Sequence, residues 1–135
     1  MQGCIFCSIV TGEAPAHVIW EDDHTLAFLD IAPFAPGHTL VIPKAHTEDF
    51  WSVDEDSAAA LMRSAHRVAD RLRTKLEPEG MNLLQATKAV AFQTVFHLHL
   101  HVIPRWSHDT MAPPPWPKPV ASRLELADMA KRIRD

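Results

Sequence analysis

Three of the nine histidines of this 135-residue chain occupy alternate positions, His97, His99 and His101, in the stretch Phe96-His-Leu-His-Leu-His-Val-Ile103. Side chains alternate between the two faces of a β-strand, so a strand here would place three imidazoles on one face and apolar side chains on the other. Thr, Lys or Glu would serve equally well on a merely polar face, whereas each imidazole needs hydrogen-bond partners and titrates near neutrality. The pattern therefore favours a chemical role.

Metal binding and phosphate chemistry are the two roles that fit this pattern. With a rise of roughly 3.3 Å per residue, His97 and His101 lie on the order of 13 Å apart along a strand, so one tetrahedral zinc cannot readily bind all three histidines. At least one of them must have another role. Neutral imidazole is nucleophilic at pH 7 and neighbouring imidazolium groups can stabilise phosphate oxygens, which makes reaction at phosphate the remaining candidate.

The chain has two cysteines, Cys4 and Cys7, in a C-x-x-C arrangement. In a reducing compartment this spacing is typical of a redox pair or of half a zinc site, and two buried cysteines can also act as small apolar side chains. A thioredoxin-like pair would follow a β-strand, and the residues before Cys4 provide none. Zinc is the favoured interpretation, provided that two more ligands are found.

Short strands in series and one long helix are predicted to position these residues. We expect strands at 18–21, 25–30, 38–43, 81–85 and 93–103, a short helix at 4–10, and a loop at 86–91. Most of the strands follow one another without an intervening helix, which favours an antiparallel sheet and an α+β class.

Apolar residues at helical spacing predict the long helix, over residues 53–76. The repeating positions are Leu61, Ala65, Val68, Leu72 and Leu76. Ser52 and Glu55 have the spacing of a capping box at its start, and Ser122 and Glu125 have the same spacing before a final helix. Prolines give segment 111–119 an extended, partly polyproline-like character.

Composition bounds the class of protein. The net charge is −4 and the pI is near 6.1, whereas proteins that grip nucleic acid by bulk electrostatics usually present a basic surface. No apolar run approaches the roughly 18 residues of a membrane span. We therefore expect one cytoplasmic domain over 1–135 and no nucleic-acid or membrane partner.

The stretch from Phe96 to Ile103 resembles the His-φ-His-φ-His-φ-φ signature, where φ is apolar, of the histidine triad (HIT) family of nucleotide hydrolases and transferases. The resemblance covers about residues 3–106 and follows the motif order of the Hint-like branch, including its zinc-containing bacterial members. The further matching motifs are Cys4-Ile-Phe-Cys7, Ala27-Phe-Leu-Asp-Ile31, Ala35-Pro-Gly-His-Thr-Leu-Val-Ile-Pro-Lys-Ala-His46 and Gln93-Thr-Val-Phe96. It implies a HIT fold with its core at 1–106, in which an antiparallel sheet packs against a central helix with short helices at both ends, and a homodimer that extends the sheet.

The resemblance also implies a reaction. In the family, the residue that matches His99 attacks the α-phosphorus of a nucleotide conjugate, and water then hydrolyses the covalent nucleotidyl-histidine. Residues matching His38 and His101 hold the phosphate oxygens. The remaining family contacts to base, ribose, phosphate or departing group match Phe28, Asp30, Ile31, Gln93 and Thr94.

Three functions stay open at this point. Hydrolysis of purine nucleoside phosphoramidates or related conjugates, such as those of AMP or GMP, is the favoured one. Cleavage of dinucleoside polyphosphates is the enzymatic alternative and differs in its leaving group. A nucleotide-binding interaction module with incidental hydrolysis is the third, with Trp106, Trp116 and the prolines as its partner surface.

In zinc-containing relatives, the residues that match Cys4, Cys7, His46 and His97 hold the metal. Two sulfurs and two nitrogens form a closed set that is typical of structural zinc. The resemblance thus assigns the first histidine of the triad to metal, the second to phosphorus and the third to phosphate oxygens.

The chain departs from its relatives in the loop before the triad. Many relatives have Asn-Gly or similar there and a glycine just before the glutamine, where this chain has Ala86-Thr87-Lys88 and Ala91-Phe92-Gln93. Lost glycines restrict the approach of the backbone to a ligand, and Phe92 adds bulk beside the expected leaving-group pocket. We expect Lys88 to be a solvated loop residue, with contact to an anionic leaving group as the alternative.

Overall fold

Five strands and three α-helices make up most of the computed structural model, which describes residues 3–109 and 121–134. In chain order the elements are α1 (Ile5–Val10), β1 (Val18–Glu21), β2 (Thr25–Leu29), β3 (Thr39–Pro43), α2 (Glu55–Leu76), β4 (Gly80–Leu84), a 3₁₀ turn (Ala89–Ala91), β5 (Leu100–Arg105) and α3 (Arg123–Arg134). The predicted polyproline-like segment 111–119, with Trp116, lies outside the described residues. None of the described helices is long and apolar enough to cross a membrane.

The strands form one sheet in the order β1-β2-β3-β5-β4, and every neighbouring pair is antiparallel. The expected α+β class with an antiparallel sheet is therefore confirmed. His101 lies opposite Leu40 of β3 and opposite Leu84 of β4. This pairing holds the last histidine of the triad inside the sheet.

Each face of the sheet is covered by a helix. On one face, α2 packs with a cluster that includes Ala27, Val41, Leu98, Leu100 and Val102. On the other face, Phe6 of α1 packs with Leu26, Phe28, Leu40 and Ile42. Because β2 and β3 are buried on both faces, they read as nearly continuous apolar runs.

The start of α2 differs from the prediction. Its N-cap is Asp54, whose carboxylate accepts a hydrogen bond from the backbone N–H of Ser57 at 3.2 Å. The predicted Ser52–Glu55 capping box is wrong, because the N–H and hydroxyl of Ser52 both donate to Asp49 at 3.0 Å. Ser52 therefore belongs to a turn that Asp49 stabilises, and α2 begins after this turn with its own cap, Asp54.

The cap of α3 follows the prediction more closely. The backbone N–H of Glu125 donates to the hydroxyl of Ser122 at 3.1 Å. The expected apolar side of α3, formed by Leu126, Ala130 and Ile133, is not buried against the described residues.

The predicted strand at 93–103 is wrong in its bounds, since β5 runs from Leu100 to Arg105. The backbone N–H of Leu98 donates to the carbonyl of Thr47 at 2.7 Å, outside the strand ladder. Leu98 still joins the cluster beneath α2, so the predicted alternation of faces continues beyond the strand. Phe96 does not follow it, because 46% of its surface is exposed.

Candidate active site and metal-binding cluster

Four imidazoles lie close together, and two of them, His97 and His99, contact Phe6 of α1. His38, His97 and His99 are buried, and His101 is partly buried. The ring centroids of His99 and His101 are 5.1 Å apart, as are those of His38 and His101. The structure thus brings the three predicted catalytic histidines into one contiguous group.

The proton of His99 is placed by a backbone carbonyl. Its Nδ1 lies 2.8 Å from the carbonyl oxygen of His97. A carbonyl can only accept, so the neutral imidazole carries its hydrogen on Nδ1 and leaves the Nε2 lone pair free. His99 therefore has the tautomer that a nucleophile acting through Nε2 requires.

A second series of hydrogen bonds determines which ring nitrogen carries the hydrogen in His38 and in His101. The backbone N–H of Phe34 donates to Nδ1 of His38 at 3.1 Å, so the hydrogen of neutral His38 is on Nε2. That Nε2 lies 2.9 Å from Nδ1 of His101, which accepts the hydrogen bond. Neutral His101 consequently carries its own hydrogen on Nε2, where it can donate to a ligand.

Burial keeps these imidazoles neutral. It lowers the pKa of His99 and of His38, although the carbonyl of His97 and the carboxylate of Asp30, respectively, oppose the shift. Burial, together with the neighbouring His99 and His38, lowers the pKa of His101 to about 4. At neutral pH without a ligand, the group offers a free base and neutral N–H donors, where the sequence led us to consider imidazolium donors.

The segment predicted to contact the nucleoside adjoins these histidines. A carboxylate oxygen of Asp30 lies 3.5 Å from Nε2 of His38, and its other oxygen accepts from the N–H of Ala32 at 2.9 Å. Phe28 is buried, whereas Ile31 is 95% exposed. Asp30 is thus next to the triad, and Ile31 is free to contact a ligand.

Gln93 and Thr94 lie on the loop that precedes the triad. Gln93 is buried, and its amide donates to the carbonyls of Glu48 (2.8 Å) and Val95 (3.0 Å). Its side-chain oxygen accepts from the backbone N–H of Lys88 at 2.7 Å. Thr94 is exposed and lines a cavity of about 580 Å³ with Cys4 and His46 among others. Contact of either residue with phosphate or a departing group stays a prediction.

The four predicted metal ligands converge on one point. Their ligand atoms all lie within 4.8 Å of one another: Sγ of Cys4 and Cys7 and ring nitrogens of His46 and His97. Nδ1 of His97 is 3.4 Å from Sγ of Cys4 and 3.2 Å from Nδ1 of His46. Tetrahedral zinc, with bonds of about 2.3 Å to sulfur and about 2.0 Å to nitrogen, places its ligand atoms about 3.3–3.8 Å apart. The chain's donors fit such an ion.

The surroundings also prepare His97 and Cys7 for a cation. Nε2 of His97 donates to the carbonyl of Pro43 at 2.8 Å, which leaves Nδ1 as the lone-pair atom that faces the sulfurs. Burial raises the pKa of the Cys7 thiol, and neighbouring Cys4 raises it further. Two thiolates at this spacing would need a bound cation to stabilise their charge.

Two phenylalanines support the site and were missed by the sequence analysis. Phe6 packs edge-on against His99, with ring centroids 5.3 Å apart and planes at 90°. Phe34 stacks on His38 at 5.5 Å and 13°. The position of Phe6 between the two cysteines was a signal for the first contact, but no sequence pattern pointed to the second.

Lys88 and Asp49 form a further contact that the sequence analysis did not predict. The ammonium of Lys88 lies 2.7 Å from a carboxylate oxygen of Asp49, whose side chain is 0% exposed. Lys88 is a loop lysine with 42% of its side chain exposed, as expected, but its ion pair with Asp49 was not predicted. The ammonium of Lys88 and the hydrogen bonds from Ser52 lower the pKa of Asp49, against the effect of burial.

The antiparallel sheet, the central helix and the alternating histidines define the histidine triad class of α+β proteins. The family model described as HIT domain matches residues 11–108. A HIT-like protein of Mycoplasma genitalium is 46% identical over 105 residues, which cover 78% of this chain and 74% of that protein. The chain therefore belongs to the HIT family.

Solved structures agree with this assignment. A Zn-bound histidine triad family protein from Mycobacterium smegmatis has a TM-score of 0.78 and 39% identity, over 96% of this chain and 97% of its own. A histidine triad nucleotide-binding protein from Candida albicans has a TM-score of 0.88 and 31% identity, over 98% and 95%. The likeness extends beyond the family-model match and includes most of the chain.

Proposed function

We propose that this protein binds purine nucleotides and hydrolyses nucleoside phosphoramidates or related nucleotidyl conjugates at the α-phosphate. The observation that carries the proposal is the set of hydrogen bonds that His99, His38 and His101 make, from which their proton positions follow. Nε2 of buried His99 is an unprotonated base, and Nε2 of adjacent His101 carries a hydrogen. A nucleophile next to neutral donors suits attack on an anionic phosphorus centre.

In the proposed first step, Nε2 of His99 forms a bond to the α-phosphorus, and the bond from phosphorus to the leaving nitrogen breaks. The nitrogen departs as a neutral amine with a proton from solvent. Water then forms a bond to phosphorus and releases a proton to solvent, while the bond to His99 breaks and nucleoside monophosphate is freed. His101, supported by His38, donates to the phosphate oxygens in both steps.

Substrate contacts are proposed for the segments that adjoin the triad. Asp30 retains lone pairs beyond its bond from Ala32, and a carboxylate can accept from both ribose hydroxyls. Exposed Ile31 would cover the base, while buried Phe28 forms the wall behind it. Gln93 and Thr94 are proposed for the phosphate or leaving-group side.

We also propose that Cys4, Cys7, His46 and His97 bind structural zinc. The donor set and the spacing of the ligand atoms support this, as does the Zn-bound relative. Four protein ligands leave no open position for water, so the ion would join α1 to the segment before β5 and orient His97.

A homodimer is proposed on the exposed edge of the sheet. β4 is the last strand in the sheet order, and Met81, Leu83 and Leu84 on it are exposed apolar residues. An apolar edge strand is a ready template for pairing with another chain. Sedimentation equilibrium of the purified protein checks this, and a monomer mass at micromolar concentration would contradict it.

The deciding experiment for the activity is mass spectrometry after brief, acid-free quenching with adenosine 5′-phosphoramidate, together with the rate of AMP release. Wild type should give an adenylyl adduct and AMP, and His99→Ala should give neither. AMP binding without an adduct or turnover that depends on His99 would favour the interaction-module alternative. Faster turnover of a dinucleoside polyphosphate in parallel assays would reverse the order of the two enzymatic candidates.

A further inference from the structure

The loop before the triad contains two non-glycine residues with left-handed backbones. Lys88 has φ 74° and ψ 155°, and Phe92 has φ 75° and ψ 20°. The conformation of Lys88 belongs to a region that is essentially reserved for glycine. Such a backbone persists only where the surrounding structure holds it in place, so specific contacts must hold Lys88.

The side chain of Lys88 supplies one such contact. Its ammonium lies 2.7 Å from Oδ2 of Asp49 and 3.7 Å from a carboxylate oxygen of Glu48. The other oxygen of Asp49 accepts both hydrogen bonds from Ser52. Within residues 3–109 and 121–134, Lys88 is the cation that neutralises this fully buried carboxylate.

The backbone of Lys88 in turn holds Gln93. The N–H of Lys88 donates to the side-chain oxygen of Gln93 at 2.7 Å, and the N–H of Gln93 donates to the carbonyl of Lys88 at 3.1 Å. The Gln93 amide also donates to the carbonyl of Glu48. A displacement of Lys88 would therefore displace Gln93 and the adjacent Thr94.

These contacts belong to a longer seam, by which we mean segment 46–49 and the residues of 88–98 that it contacts. His46 is next to His97, the carbonyl of Thr47 accepts from Leu98, that of Glu48 accepts from Gln93, and the carboxylate of Asp49 binds Lys88. The proposed metal site closes one end of the seam and the ion pair closes the other. His97, at the metal end, is also the first histidine of the triad, and His99 and His101 come directly after it in the chain.

We infer that Lys88 is a positioning residue, whose ion pair with Asp49 holds loop 88–95 in a glycine-like conformation and fixes Gln93 and Thr94 on the leaving-group side of the site. Its effect on substrate choice rests on the proposed function. Its effect on the loop does not. The two parts are therefore tested separately.

Hydrogen–deuterium exchange of the peptide that covers residues 86–96 tests the loop. In Lys88→Met, which keeps the aliphatic stem, this peptide should exchange at least about tenfold faster, because Asp49 loses its buried partner. Lys88→Arg keeps a cation and should exchange like wild type. Lys88→Gly loses the ion pair but relaxes the backbone, so its exchange should lie between wild type and Lys88→Met.

Lys44→Met is the matched control, because it removes a lysine contact to Glu21 that is also 2.7 Å long and lies outside the loop. It should leave exchange of 86–96 unchanged. Unchanged exchange in Lys88→Met, or equal acceleration in every peptide of the chain, would overturn the inference. If Lys88→Met does not fold, Asp49→Asn tests the same contact with a side chain of equal shape.

The catalytic part is tested with two adenosine phosphoramidates that differ only in the leaving amine. Lys88→Met should change the ratio of their kcat/KM values by at least about fivefold and leave the Kd for AMP unchanged. A parallel loss of AMP affinity and of both rates would overturn the positioning role. Wild type without turnover would contradict the proposed function, and the exchange experiment would still decide whether the ion pair holds the loop.

Discussion

At the scale of single residues, two backbone groups decide what the imidazoles can do. The N–H of Phe34 fixes the tautomer of His38, and the carbonyl of His97 fixes that of His99. Because Nε2 of His38 donates to Nδ1 of His101, the tautomer of His101 is fixed as well. Alternation in the sequence predicted that the triad histidines share a face. It could not predict the protons, since they depend on backbone groups that only the folded chain brings near.

Asp30→Asn tests the proposed ribose contact. Loss of one charged acceptor should raise KM for a ribonucleoside phosphoramidate about tenfold, since a hydrogen bond to a charged group contributes about 1.5–3 kcal/mol. The matched 2′-deoxy substrate should be affected less, because it lacks one donor. Steady-state kinetics on both substrates measures the difference. An equal loss on both would assign the effect to the neighbouring His38.

The lowered pKa of His101 predicts how stability depends on pH. An unfolded histidine has a pKa of about 6.5, so between that pH and about 4 the unfolded state binds the extra proton. The free energy of unfolding should therefore fall as the pH falls through this window. His101→Gln does not titrate there and should lose less stability. Urea unfolding of both proteins from pH 4 to 7.5 measures this, and parallel curves would contradict it.

At the scale of elements, apolar spacing located α2 and the strands of the sheet but not the start of β5. The alternation of faces continues through Leu98, so the side chains gave no sign that the backbone had already changed its hydrogen-bond partner to Thr47. Ser52 likewise had the right residue type and spacing for the N-cap of α2, but in the structure it hydrogen-bonds to Asp49 instead. Both errors arise from contacts between distant segments, which local patterns do not encode.

Gly37→Ala tests the junction before β3. Its φ is +87°, and an added Cβ would lie 2.5 Å from a side-chain carbon of Leu76 and 3.2 Å from one of Pro104. We expect the free energy of unfolding to fall by about 2–5 kcal/mol, from backbone strain and overpacking together. Gly12→Ala has a similar φ of +83° with nothing within 4 Å, and should lose only about 1–2 kcal/mol. Equal losses in urea unfolding would show that the contacts at Gly37 are unimportant.

At the scale of the whole molecule, the proposed zinc joins α1 to the segment before β5. Removing it with a chelator should lower the free energy of unfolding. The expected loss is about 4 kcal/mol when the comparison is with protein in free zinc at a thousand times the Kd. Cys4→Ser should be less stable than wild type and insensitive to the chelator. Elemental analysis and thermal unfolding, each before and after chelation, measure the effect. Metal-free, freshly purified wild type with the same Tm in chelator would contradict the proposal.

The cluster of Cys4, Cys7, His46 and His97 cannot be complete until late in synthesis of the chain. Cys4 and His97 are separated by 93 positions, and a chain emerges from the ribosome with its N-terminus first. At about 5–20 residues per second, the two thiols spend on the order of ten seconds without the imidazole that completes their group. During that interval oxidants or other metals can reach both thiols, whereas in the folded chain Cys7 is buried and Cys4 is partly buried.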